Sequence, residues 1–310
     1  MDLPMHPAAS ASSAPACANV SGLLLCVEYR LCRVMCGPVK FSFLARSIST
    51  GTLRKTASGH GCTPSSAGSS LARAGRPLSC WMTNSAVPHS IFGAQEVLVV
   101  ERFDRQWATR GSDGAPWIAR LPQEDFCQVP FLPSSRKYEA DRGPGMRECL
   151  RVLLASAAPQ ADITHFLCAQ SAFWLLAATD GHGKDFSLFL LRGGAYRMTP
   201  LYDVISLWPV VGRGPNHAAW PAAKLAMAVR SRNVHCALQT IQPRHWRGLA
   251  EKAGVAGVWE SMRAMVERVE PAIATREGQL PQGFPKQTAG KVFEGMRSQL
   301  RTWRNGLDAA

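Results

Sequence analysis

Apolar and polar positions fall into regular periods only from about residue 96 onward. EVLVVERFD, residues 96–104, is rich in Val and ends in charge, which predicts a buried strand. RGSDGAPW then carries the small and polar residues of a loop tip. After GPG at 143–145, MRECLRVLLAS has apolar residues at helical spacing. DITHFLCAQSAFWLLAAT predicts a second helix, with Asp162 as its N-cap. That helix is apolar almost all round, so it belongs in a core. FSLFLL and AYRMTPLYD flank RGG and predict a β-hairpin. PRHWRGLAEKAG, VWESMRAMVERVEPAIA and AGKVFEGMRSQLRTWRNGL show the 3.6-residue period with charged outer faces. There is no internal repeat.

The first 88 residues are different. PAASASSAPA and CTPSSAGSSLARAG are rich in Ser, Ala and Gly and have neither period. An acid-poor, Arg- and Ser-bearing composition suits an organelle transit peptide, a disordered tail, or a stretch that is no evolved domain. The expected organisation is therefore a low-complexity segment, 1–88, disordered or non-homologous, followed by one ordered lobe, 89–310.

Charge and cysteine add to this division. The formal net charge is +13, which suits an anionic partner such as nucleic acid, nucleotide or an acidic surface, or serves general solubility. Residues 1–88 carry 8 Lys+Arg against 2 Asp+Glu. Cys17, Cys26, Cys32, Cys36, Cys62 and Cys80 crowd the same stretch without the paired spacing of a zinc site. The later cysteines, Cys127, Cys149, Cys168 and Cys236, are scattered singly, as free thiols in a reducing compartment would be. A cytoplasmic location is expected. No run reaches the roughly 18 apolar residues of a spanning helix, and VSGLLLCVEY lacks the basic segment of a secretory signal, so no membrane partner is expected.

Chemistry concentrates in TDGHGKDFS, Thr179–Ser187, which follows the apolar FWLLAA and precedes the hairpin and PLYDV. Phosphoryl transfer needs an acid to accept the attacking hydroxyl's proton and oxygen ligands to hold the metals that offset phosphate charge. Protein kinases put the base and one metal ligand five residues apart in one loop and the second ligand after the next hairpin. Asp180 and Asp185 are five apart, Asp203 follows the hairpin, and Lys184 lies beside them. A turn with solvated charges would have the same composition; the order of elements around the loop is the more specific feature.

Several longer segments, VERFDR, RLPQEDFCQ, LPSSRKYEADRGPG, ATDGHGKDFSLFL, GGAYRMTPLYDVIS and KLAMAV, occur in order over some 190 residues. In them, from about 94 to 285, the chain resembles the C-terminal part of the HipA family of serine/threonine kinases, the toxin halves of bacterial toxin–antitoxin pairs. It is most similar to the type carrying LPSS.KYE and GATDGHAKNFS. The resemblance implies an α+β, mostly α fold: a protein-kinase-like C-terminal helical lobe with a small β-hairpin at the catalytic edge. It implies ATP and Mg2+ as cofactors, with Asp180 as the catalytic base. His182, Gly183, Lys184 and Tyr202 would line the nucleotide site, and Asp185 and Asp203 would hold metal. Glu101, Arg102 and Phe103 match the hinge that meets adenine; alone, they read as an ordinary salt-bridged strand end. The implied partners are a HipB-like DNA-binding antitoxin, DNA only through that antitoxin, and a protein serine substrate such as an aminoacyl-tRNA synthetase.

The chain also departs from the family, which carries Asn where this sequence has Asp185. The family's N-terminal subdomain, Gly-rich phosphate loop, regulatory serine and ATP-contacting lysine have no counterpart in the pattern of residues 1–90. GTLRKT, residues 51–56, offers a lysine without a preceding strand or Gly-rich loop. The expectation is a truncated or rearranged member whose kinase activity is impaired, since lost phosphate positioning costs about 3 kcal/mol or more of barrier. The alternative is a non-catalytic module that binds an antitoxin-like partner. Direct nucleic-acid binding finds no helix-turn-helix or aromatic-interleaved basic strand to support it.

Overall fold

The computed structural model describes residues 86–92, 95–100, 102–110, 114–280 and 284–308. The expectations for residues 1–85 and for Glu101 lie outside these. Chain pairing begins earlier than the Val-rich run: β1 (Ala86–Phe92) pairs antiparallel with β2 (Gln95–Val100). The expected loop tip RGSDGAPW is the end of a second hairpin, β3 (Arg105–Arg110) and β4 (Ala115–Arg120), in which Trp107 faces Ile118.

The predicted FSLFLL/AYRMTPLYD hairpin is present as β6 (Ser187–Leu190) and β7 (Tyr196–Met198). A short strand, β5 (Gln123–Asp125), adds to its other edge, so the sheet runs β5-β6-β7, all antiparallel. A last hairpin joins β8 (Lys224–Arg230) and β9 (Val234–Ala237), with an irregular register between Lys224 and Val229.

Among the described residues six α-helices make the body: α1 (Met146–Leu153), α2 (Pro159–Leu176), α3 (Pro243–Ala250), α4 (Val258–Glu267), α5 (Val269–Glu277) and α6 (Lys286–Asp308). The pattern predicted one helix through VWESMRAMVERVEPAIA. The chain instead breaks at Arg268, because Pro271 has no N–H to donate and its ring would strike the carbonyl four residues back.

The largely apolar α2 is the axis of the core. Every residue from Asp162 to Leu176 is buried. Phe126, Phe166, Phe186 and Phe173 stack in a chain along it, with centroids 5.1–6.2 Å apart. Asp162 is not its N-cap. Pro159 starts the helix, as its fixed φ and missing N–H allow, and Asp162 is buried one turn in, accepting from Arg197 Nε of β7 at 3.0 and 3.1 Å. The expected free thiols are present: Cys127, Cys149 and Cys168 are buried, Cys236 is half-buried, and none forms a disulfide. Among the described residues no helix is long and apolar enough to cross a membrane.

Candidate active site

The C-terminal end of α2 fixes where TDGHGKDFS emerges. A helix leaves its last four carbonyls without intrahelical partners, and a buried helix must find others for them. Here each is served. Phe173 O accepts from Ala178 N at 2.8 Å, and Trp174 O from Gln299 Nε2 of α6 at 3.2 Å. Leu175 O accepts from Trp208 Nε1 at 3.0 Å, and Leu176 O from Ser206 Oγ at 2.6 Å. Ala177 then turns into the left-handed region, φ 48°, and ends the helix. Gly181 passes directly over the Phe173 ring; a Cβ there would lie 2.3 Å from Phe173 Cδ2. Gly183 is equally confined, its Cβ position being 2.4 Å from Pro144 Cγ.

Within the loop, His182 and Asp185 form a closed unit. His182 N donates to Asp185 Oδ2 at 3.0 Å, His182 Nδ1 lies 2.9 Å from the same oxygen, and Lys184 N donates to Nδ1 at 3.3 Å. Asp185 N donates back to His182 O at 3.0 Å. Both side chains are buried. Both contacts end on Oδ2 of Asp185. Asp180, by contrast, has a side chain 60% exposed, and His182 Nε2 is 4.0 Å from its Oδ1. Tyr138 Oη donates to that Oδ1 at 2.6 Å. The Asp180 carboxylate and, after it, burial raise the Tyr138 phenol above its ordinary range.

Lys184 is anchored. Its Nζ donates to Asp125 Oδ2 at 2.7 Å, which raises its pKa further. Asp125 Oδ1 accepts from the backbone N–H groups of Cys127 and Gln128, both at 2.9 Å. The ammonium is thus fixed at the base of β5.

Tyr202 donates to Lys184 O at 2.9 Å and shares a short hydrogen bond with Ser187 Oγ. Burial pushes its phenol far above the ordinary range. Asp203, next to it, is exposed and sits at φ 60°, a left-handed conformation that Asp tolerates better than most residues. Tyr202, the residue before Asp203, is the one this turn ties to the loop, through Lys184 O.

The hinge residues behave differently from one another. Arg102 pairs with Asp104 (Nε to Oδ1 2.7 Å, NH2 to Oδ2 2.6 Å), and Arg105 pairs with the same carboxylate. Burial opposes the Asp104 charge, but the two guanidiniums hold its carboxyl below the usual range. The Arg102 side chain is thus committed to the salt-bridged strand end. Phe103 packs edge-on against Phe189 at 5.6 Å and tilted against Tyr202 at 6.0 Å. It joins this segment to the β6–β7 hairpin.

Pattern reasoning assigned no role to Asp125, Tyr138 or Ser187. The first two lie in RLPQEDFCQ and LPSSRKYEADRGPG, segments conspicuous as motifs but silent about which side chain reaches the loop.

The HipA-like C-terminal domain family matches residues 79–276. The chain belongs to that family. A relative from Sinorhizobium fredii (strain NBRC 101917 / NGR234), named "Putative kinase Y4mE", is 34% identical over 161 residues. That match covers 51% of this chain and 34% of the relative. Among solved structures, HipA in the Shewanella oneidensis MR-1 complex of HipA, HipB and operator DNA superposes with a TM-score of 0.59. It is 20% identical, and the match covers 73% of this chain and 53% of that one. The chain thus spans about a third of the one relative and half of the other. Its fold is the expected α+β, kinase-like one.

The donor set suits the cofactors that such a fold implies. Asp185 and Asp203 offer carboxylate oxygens, the ligands that hard Mg2+ takes. Among the described residues no three His, Cys, Asp or Glu side chains form a cage, and Mg2+ is commonly held by one or two carboxylates plus phosphate and water.

Proposed function

We propose that this lobe carries the catalytic site of a HipA-like, ATP-dependent protein serine/threonine kinase, the toxin component of a toxin–antitoxin pair. The observation that carries this is the loop itself: a rigid, fully hydrogen-bonded helix end presents an exposed Asp180 beside a buried, oriented Asp185, with Asp203 held on the turn after the hairpin. Asp180 accepts the proton of the attacking serine hydroxyl. Asp185 and Asp203 would hold Mg2+, whose charge would offset that on the transferring phosphoryl group. His182 fixes the Asp185 carboxylate. Lys184, tied to Asp125, supplies positive charge beside the loop. Phe103 and the backbone of residues 101–103 meet the adenine.

The partners that go with this reading are a HipB-like antitoxin, through which contact with DNA is made, and a protein acceptor such as an aminoacyl-tRNA synthetase. The test is transfer of label from γ-labelled ATP to serine in a panel of synthetases. Transfer is expected for the parent and cut to a small residual rate for Asp180→Ala, about 10²–10⁴-fold lower, with that variant folded normally. Transfer by Asp180→Ala at the parent rate sinks the assignment of the base. A parent chain that transfers nothing but still binds a HipB-like protein supports a binding module instead.

A further inference from the structure

We propose that the Tyr138 hydroxyl is a positioning group for the base, holding the Asp180 carboxylate in the orientation from which it takes the acceptor's proton. The proposal rests on the kinase reading of Asp180. It begins from a mismatch. The Asp180 backbone is fixed by the capped end of α2 and by Gly181 on the Phe173 ring, yet its side chain is 60% exposed. Nothing in the helix restrains its χ angles. A hydrated carboxylate samples several rotamers, whereas a general base must be held to within about 0.5 Å and 10–20° of its working geometry.

Tyr138 supplies the restraint from 42 residues away in sequence. Its Oη donates to Asp180 Oδ1 at 2.6 Å, a charge-assisted bond at the strong end of its range. The donor is itself held. The Tyr138 ring stands edge-on to His182, centroids 5.0 Å apart and planes at 76°, and Lys137 Nζ lies 4.8 Å from its centroid. The backbone on either side is tied down. Gly183 N donates to Lys137 O at 3.2 Å, and Gly143 N donates to Tyr138 O at 2.8 Å. The next residue, Glu139, accepts from Ala228 N at 2.6 Å and Arg230 Nε at 2.8 Å on β8. Tyr138 thus stands on a strut between β8 and the catalytic loop.

Because the phenol uses Oδ1, Oδ2 is the oxygen turned to the acceptor. The acceptor's O–H proton goes to Oδ2 while its oxygen forms the new bond to the γ-phosphorus. The bond from that phosphorus to the bridging oxygen breaks, and its electron pair leaves with the nucleoside diphosphate. The Tyr138 proton stays on Tyr138 throughout, so the tyrosine orients the base and is not consumed.

Tyr138→Phe tests this, because it keeps the ring against His182 and removes only the hydroxyl. In the full chain, kcat for serine phosphorylation should fall about 10-fold, a fraction of the roughly 10²–10⁴ that a positioned base contributes. Acceptor KM and the Kd for Mg2+-ATP should not change. In an Asp180→Ala background the same substitution should have no further effect on the residual rate. A second readout needs no nucleotide. With ¹³Cζ-labelled tyrosine, the Tyr138 resonance, assigned by its loss in Tyr138→Phe, should titrate above the ordinary phenol range. It should move down in Asp180→Ala. Parent-like turnover of Tyr138→Phe, an equal loss in the Asp180→Ala background, or a Tyr138 titration indifferent to Asp180 overturns the positioning role and leaves the kinase reading standing. A parent chain that transfers no phosphate overturns both.

Discussion

Glu139→Ala should destabilise the lobe by about 2–4 kcal/mol. Two groups lose their acceptor. Arg230 is 40% exposed and can return to water, so its pairing is worth at most about 1 kcal/mol. The Ala228 amide cannot. Ala228 is 6% exposed and lies where the β8–β9 register is irregular, so its N–H points at Glu139 Oε2 and not at a ladder partner. Leaving a buried amide unpaired costs about 1–3 kcal/mol. Glu139→Gln should cost less, since its amide oxygen can still accept from Ala228. Urea unfolding followed by tryptophan fluorescence measures both. A Glu139→Ala midpoint equivalent to less than about 0.5 kcal/mol, with unchanged slope, would show that Ala228 is served otherwise and that the strut under Tyr138 has no such footing.

Other outcomes follow from the same contacts. His165, buried on α2 with no partner for Nε2, and His245, at the start of α3, are both pushed down from 6.5 to about 4, chiefly by burial. The unfolded chain binds these protons below about 6.5 and the folded one only near 4, so stability should decline progressively as pH falls between those values. His165→Leu should make urea midpoints at pH 5 and 7.5 more alike than the parent's; an identical pH dependence contradicts the buried neutral imidazole. Gly181→Ala places a Cβ 2.3 Å from the Phe173 ring and should cost about 1–3 kcal/mol in chemical denaturation; a neutral result means the loop moves freely there. Asp185→Asn keeps one oxygen for Mg2+ and removes one negative charge. It should weaken Mg2+ binding modestly while raising transfer per bound nucleotide, and tighter metal binding in a Mg2+ titration would refute the charge-crowding basis.

The parts legible in the sequence are those with one dominant period or one dense motif. α2 was legible because apolar residues occupy nearly every face of its run, and the β6–β7 hairpin because RGG punctuates two apolar segments. The order of Asp180, Asp185 and Asp203 around that hairpin was legible for the same reason. What failed to show has local causes. β5 is three residues long, too short to display a period. In β3–β4 large apolar residues lie half in solvent, Trp107 and Trp117 at 47% exposure, so no polar-out, apolar-in alternation marks the strands. The irregularity in β8 disturbs its alternation. Asp162 looked like a cap because an acid before an apolar run usually is one, and its real partner, Arg197, is 35 residues away. Tyr138 and Asp125 reach the loop across 42 and 59 residues, distances over which spacing carries no information.

The central claim is that the loop and the turn after the hairpin together bind Mg2+-ATP. Calorimetric titration of ATP into the chain, with and without Mg2+, tests it most directly when Asp203→Gly is run beside the parent, since Gly accepts the φ of 60° without strain. Saturable binding that requires Mg2+ and is lost in Asp203→Gly is the predicted result. No heat of binding in the parent, or binding indifferent to both Mg2+ and Asp203, would contradict the account.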